Sequence, residues 1–288
     1  WSSDVCSSDL DHIDKAISAE EKAQGKVLLC CTTAKSDLKI NVPGFNPNAL
    51  PVRTLPVRIE TIEIKHDVAL LRLALPKVPS FAFYAGQYID LLLPGNISRS
   101  YSIANSPDQE GVLELHIRKR ENGVCSEMIF GAEPKIKEKG IVRVKGPLGT
   151  FTLQQDSNKP IVLLATGTGY APIRSILLDL IYQNSERPVH FYWGARQKED
   201  LYALEEAEAL IGRLKNAKFS PVLSKPDSNW KGENGYVQNV AAQNYPDLSQ
   251  YEVYACGSPA MTESAQSLLT QKCAVPEDAF FCDAFSPA

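Results

Sequence analysis

Arg99, Tyr101 and Ser102 fall within the short stretch RSYS, and their types suggest a shared task. Arginine is a planar cationic fork, tyrosine an aromatic plate with a polar tip, and serine a hydroxyl that both donates and accepts. A surface turn needs none of these, and the preceding GNIS already supplies turn residues. On an extended segment Arg99 and Tyr101 share one face while Ser102 points to the other. With Ser100 between them, they form a candidate clamp for a flat, anionic molecule.

Glycine-bearing loops offer a second chemistry. LLATGTGYAPI holds Thr166, Gly167, Thr168 and Gly169 between an apolar run and an amphipathic stretch entered through Pro172. Where a parallel strand meets a helix N-terminus, free amides favour a pyrophosphate and glycines let the backbone approach it. The turn lacks the full Gly-x-Gly-x-x-Gly fingerprint, and alone it reads equally well as a packing turn. WGAR adds Gly194 and Arg196, and ACGSPAM adds Cys256, Gly257, Pro259 and Met261. Three such loops point to a pocket at one sheet edge. ENGVCSEMIF carries Gly123, Val124, Cys125 and Ser126 after a strand containing His116, Ile117 and Arg118. Ser126 can cap the helix that follows, or join the turn amides in a second pyrophosphate cradle opposite Arg99.

Two architectures are needed to position these groups. From Val57 to about Leu153 the chain runs in short alternating strands: VRIETIEI, VALLRLAL, QYIDLLL, LELHIRK and IVRVKG. That pattern predicts an antiparallel β-barrel over 57–153. From Lys159 onward, apolar strands alternate with amphipathic helices, which predicts a doubly wound α/β domain over 154–288. Residues 43–56, with prolines at 43, 47, 51 and 56, read as a linker. Ahead of it, 11–42 reads as a polar helical piece, a turn at Gly25 and two short strands. WSSDVCSSDL, residues 1–10, repeats Ser-Ser-Asp and reads as a sequencing artefact.

The 288 residues carry a net charge of -4, which argues against a nucleic-acid partner, since that would need a basic face. The longest apolar runs are too short to span a bilayer, and no basic start precedes an apolar stretch as in a signal peptide. A cytoplasmic monomer is expected. The seven cysteines are scattered without a Cys-x-x-Cys pair, and most are expected to be buried small hydrophobes.

RSYS, GVCS, GPLGTF, ATGTG, WGAR and YACGSPAM occur in the order found in ferredoxin reductase-like flavoproteins. The chain resembles that family from about Val57 to its end, and within it the NADH-dependent iron–sulfur flavoprotein reductases of the CDP-6-deoxy-Δ3,4-glucoseen reductase type. The resemblance implies FAD and NADH as cofactors. Arg99 would then meet the FAD pyrophosphate, Tyr101 would pack on the flavin, and Ser102 would lie near its N5. The backbones of His116 to Arg118 and of Gly123 to Ser126 would complete that site. Cys256 would sit beside the nicotinamide and Phe285 close to the flavin, although Cys282 before Asp283 departs from the usual Tyr-x-Asp. NADP-specific relatives carry a Ser-Arg pair where this chain has Ser224 and Lys225, so NADPH is the less expected donor. GKVLLCCTTAKSDLKI is similar to the end of a plant-type [2Fe–2S] ferredoxin domain. On that likeness Cys30 is the one remaining candidate metal ligand, the Cys-x4-Cys-x2-Cys run is missing, and 11–42 is the remnant of a truncated domain. The implied partner is an electron-accepting oxygenase or dehydratase component. The alternatives are a flavin reductase that releases reduced flavin, a non-catalytic electron-transfer subunit, and a cofactor-free interaction module.

Overall fold

Residues 10–12, 32–34 and 50–285 are described by the computed structural model of the chain. The chain divides into two units, Trp1–Ala49 and Leu50–Ala288. In the first, β1 (Leu10–His12) pairs antiparallel with β2 (Thr32–Ala34). Asp11 and His12, expected to open a helical piece, are therefore extended. So short a segment has little helical stability of its own, and strand pairing prevails. Cys30, Gly25 and the rest of the expected ferredoxin remnant lie outside the described residues.

In the second unit, six antiparallel strands form one curled sheet. These are β3 (Arg53–Lys65), β4 (Val68–Ala74), β5 (Tyr88–Leu93), β6 (Ile97–Ser102), β7 (Val112–Arg118) and β8 (Ile141–Leu148). Their order is β6-β5-β8-β3-β4-β7. Alternation drives the curl: Leu55, Val57 and Ile59 of β3 are buried, while Thr54, Pro56 and Arg58 between them are exposed. Ile103 bridges Leu115, and the Ala104 N–H donates to the Glu114 carbonyl at 2.8 Å, so the two end strands meet. β3 begins inside the segment expected as linker. Pro56 is tolerated there because β3 pairs only with β8 over Arg53–Pro56, which leaves one strand edge with no donor to supply. α1 (Val124–Phe130) buries Cys125 and Ile129 in the barrel core.

The remaining strands are parallel: β9 (Ile161–Thr166), β10 (Val189–Ala195), β11 (Ala217–Leu223), β12 (Glu233–Asn234), β13 (Glu252–Gly257) and β14 (Phe280–Ala284). Between them run α2 (Tyr170–Tyr182), α3 (Leu204–Ile211), α4 (Val237–Asn244) and α5 (Pro259–Lys272). β9 is apolar from Ile161 to Ala165 because both its faces are covered. Leu163 and Ala165 pack with Ile173 and Leu177 of α2 on one face. Val162 and Leu164 pack with Val240 of α4 and Leu269 of α5 on the other. In the order β12-β11-β10-β9-β13-β14 the winding reverses at β9, which opens a crevice at the carboxyl ends of β9, β10 and β13. An antiparallel barrel followed by a doubly wound α/β domain is the fold expected. Among the described residues no helix is long and apolar enough to cross a membrane.

Candidate active site

β6 pairs with β5 so that Tyr101 stands opposite Ile89 and Arg99 opposite Leu91. Ile89 and Leu91 point into the barrel, which sets Arg99 and Tyr101 on that face and Ser98, Ser100 and Ser102 on the other. The Tyr101 hydroxyl lies against the Cys125 thiol. Burial raises the pKa of both groups, and the nearby Arg99 guanidinium partly offsets each rise. Arg99 Nη1 donates to the Ser98 carbonyl at 2.8 Å. The clamp therefore gathers a cation, a ring and a thiol at the start of α1.

Two neighbours, Ser126 and Ser100, behave differently from their sequence reading. Ser126 is not a helix cap. It lies within the first turn of α1, whose N-cap is Gly123, and its hydroxyl accepts the Arg120 N–H at 2.8 Å. Ser100 is turned away from the Arg99 face and donates to Asp90 at 2.7 Å. His116 and Ile117 send their side chains elsewhere, His116 to Tyr202 and Ile117 into the barrel core. β7 is an end strand of its sheet, so one backbone edge of His116, Ile117 and Arg118 faces away from the β4 ladder.

A cavity of about 1230 Å³ opens at the β9 switch point. Thr166 lines it from the end of β9 and Gly167 and Thr168 from the turn that follows, Gly194 from β10 and Arg196 just after it, Ser224 after β11, Met261 from α5, and Phe285 just after β14. Gly167 has φ +55°, a left-handed value that suits glycine. Phe285 is held there by its N–H, which donates to the Gly257 carbonyl at 2.7 Å. The barrel supplies Asp67, Arg118, Lys119 and Arg120 to the same wall. Arg118 reaches across the seam to donate to the Asp200 carbonyl at 3.3 Å, and its Nε lies 3.5 Å from Asp67 Oδ2. That Nε is buried and lacks a hydrogen-bond partner. Five cations (Arg118, Lys119, Arg120, Arg196 and Lys225) face only two carboxylates, Asp67 and Asp200, so the cavity suits an anion.

Gly169, Pro172, Cys256, Gly257 and Pro259 do not line this cavity. Gly169 is a packing glycine, since a Cβ there would strike the Cys256 carbonyl. Pro172 is buried in the first turn of α2, and Pro259 is the first residue of α5. Gly257, at φ +150°, lies so close to Thr166 Oγ1 that a Cβ would not fit. Cys256, expected beside the nicotinamide through packing and polarity and not as a nucleophile, has its side chain sealed within β13, a strand buried on both faces. Burial above all, with Asp283 and Cys282 adding, keeps its thiol protonated far above the usual range.

Sequence reasoning missed Asp67, Lys119, Arg120, Ser258 and Tyr236. Ser258 had a signal: Ser before Pro marks a helix N-cap, and its hydroxyl does accept the Met261 N–H at 3.3 Å. Asp67 had none, because only barrel closure and domain docking bring its hairpin to the cavity.

Residues 57–153 match the family described as Oxidoreductase FAD-binding domain, and 163–267 match Oxidoreductase NAD-binding domain. A CDP-6-deoxy-L-threo-D-glycero-4-hexulose-3-dehydrase reductase from Yersinia pestis is 41% identical over 94% of this chain and 81% of its own length. The reductase component of a propane 2-monooxygenase from a Gordonia species is 34% identical over 96% of the chain and 82% of its own. Among solved structures, the Amycolatopsis cytochrome P450 reductase GcoB superposes with a TM-score of 0.79 at 28% identity, covering 96% of this chain and 84% of that one.

Proposed function

The chain belongs to the ferredoxin reductase-like FAD- and NAD-binding oxidoreductases, and on that premise we propose that it takes hydride from NADH onto FAD and passes the electrons to a partner enzyme. The observation that carries the reading is the cationic cavity at the β9 switch point, walled by both domains and closed by Phe285. Bound FAD would supply the redox chemistry by accepting a hydride and giving up its electrons in turn. The protein's own task is to bind, align and keep water out.

Arg99 is assigned to the FAD pyrophosphate, with Tyr101 packed on the ring and Ser102 near N5. Val124, Cys125 and Ser126 contribute the first-turn amides of α1, for which a helix has no internal acceptor, while Gly123 at the N-cap contributes close backbone approach, its own N–H donating to the Arg120 carbonyl at 3.2 Å. The buried, unpartnered Nε of Arg118 supports its place facing a nucleotide phosphate, beside Thr166, Gly167 and Thr168. Arg196, Ser224 and Lys225 take the far end of the nucleotide, and Phe285 shields the flavin. Cys256 acts only by packing beneath this floor.

The partner is an electron-accepting dehydratase or oxygenase component, and the name of the Yersinia relative favours deoxysugar reduction. A plant-type cluster needs four thiolates in a Cys-x4-Cys-x2-Cys run with one distant cysteine, and the seven cysteines here do not supply that set. No step is therefore routed through a cluster. With ferricyanide as acceptor, kcat/KM should be higher for NADH than for NADPH, because Lys225 stands where an arginine would grip a 2′-phosphate. Equal or better use of NADPH would overturn that preference and implicate Lys225 as a phosphate partner.

A further inference from the structure

One line of polar side chains crosses the seam between the barrel and the α/β domain. His116 of β7 sits at its centre with a fully buried side chain. Its Nδ1 lies 2.8 Å from the Tyr202 hydroxyl, just before α3, and its Nε2 lies 3.1 Å from Glu114 Oε1. Both ring nitrogens are thus engaged: Nε2–H donates to the carboxylate and Nδ1 accepts from the tyrosine. Glu114 in turn meets Arg174 Nη1 of α2 at 3.4 Å. Arg174 donates to the barrel's Ala104 carbonyl at 2.7 Å and grips Glu206 of α3 at 2.8 Å. Tyr170 closes the line by donating to Glu206 at 3.4 Å.

The residues of this line do not themselves line the cavity, but the Tyr170 N–H donates to the carbonyls of Gly167 and Thr168 in its wall, and the line ends on the elements that build both sides of it. Two residues beyond His116, β7 delivers Arg118 to the cavity. α2, which carries Tyr170 and Arg174, begins where the Gly167–Gly169 turn ends. A small rotation at the seam would therefore move Arg118 against Thr166 and Gly167, and with them the two ligands held by the two domains. Hydride transfer is sensitive to such movement, since a misplacement of about 1 Å can cost about a hundredfold in rate.

We propose that His116 is a positioning residue: by bridging Tyr202 to Glu114 across the seam, it sets the approach of the nicotinamide to the flavin. The proposal rests on the functional reading above. The test is anaerobic stopped-flow reduction of the FAD-loaded full chain by NADH, in wild type and in Tyr202→Phe, His116→Leu and His116→Gln. Tyr202→Phe removes one hydroxyl and keeps the ring, so it isolates the bridge from packing. At saturating NADH the flavin reduction rate should fall roughly ten- to a hundredfold in Tyr202→Phe and His116→Leu, with NADH affinity little changed. Long-wavelength charge-transfer absorbance between the two rings should fade in parallel. His116→Gln, whose amide can donate to Glu114 and accept from Tyr202, should recover most of the rate. A saturating rate in Tyr202→Phe within about twofold of wild type, with FAD bound, would overturn the proposal. So would a rate in His116→Gln no better than in His116→Leu. Failure of NADH to reduce even the wild-type flavin would instead remove the functional reading on which the proposal stands.

Discussion

Arg99 shares its strand face with Tyr101, and its charge reaches both Tyr101 and Cys125. If it holds the FAD pyrophosphate, Arg99→Ala removes a charge-assisted contact worth about 1.5–3 kcal/mol, or roughly ten- to a hundredfold in FAD affinity. Flavin retained per protein after gel filtration measures the loss, and a full complement in the variant would mean that the clamp is elsewhere. At this scale the sequence was readable where one short motif holds several chemical types. RSYS placed Arg99 and Tyr101 on one face because a strand alternates regardless of context. The burial of Cys256 was not legible for the opposite reason: a glycine-bearing loop locates a strand end, but whether a residue near that end faces cavity or core depends on the neighbouring strands. Arg118 was singled out for its backbone, while its side chain makes the contact across the seam.

Among the elements, β10 carries a polar network on an otherwise apolar strand. His190 Nδ1 lies 3.0 Å from the hydroxyls of both Tyr192 and Tyr245, and Nε2 lies 2.9 Å from Ser220 Oγ. Asn244 of α4 donates to Tyr192 at 3.0 Å, so the network ties β10 and β11 to that helix. Burial above all, with Lys218 adding, lowers the His190 pKa from 6.5 to about 4. Between those values the unfolded chain binds the proton that the folded one refuses. Stability from this site is complete above the unfolded value and is lost as pH falls toward the folded one. The urea midpoint of the wild type should therefore drop more steeply between pH 7 and about pH 4.5 than that of His190→Gln. Parallel curves would show that the histidine is not held neutral. Strands and helices were legible in the sequence wherever burial imposes a period, as in β3, β5 and α2. Pairing was not: the start of β3 at Arg53 depends on β8, a partner more than eighty residues away.

For the whole molecule, the order of the two domains was legible because the sequence changes style at Lys159. The seam was not, because Glu114, His116, Arg174, Tyr202 and Glu206 come from four separate elements and segments with no motif among them. The cavity inherits that property, since the sheet brings its loops while the barrel brings Asp67, Arg118, Lys119 and Arg120. The two domains must then hold their ligands ring to ring, and the central claim is that hydride crosses between them. An anaerobic titration of the purified, FAD-loaded chain with NADH, followed in the visible spectrum, tests that claim directly. The protein should be yellow, with its flavin absorbance bleached to completion by about one equivalent of NADH, as expected for one two-electron transfer per flavin. A colourless protein that takes up no FAD, or a flavin that keeps its colour under excess NADH and NADPH, would contradict it.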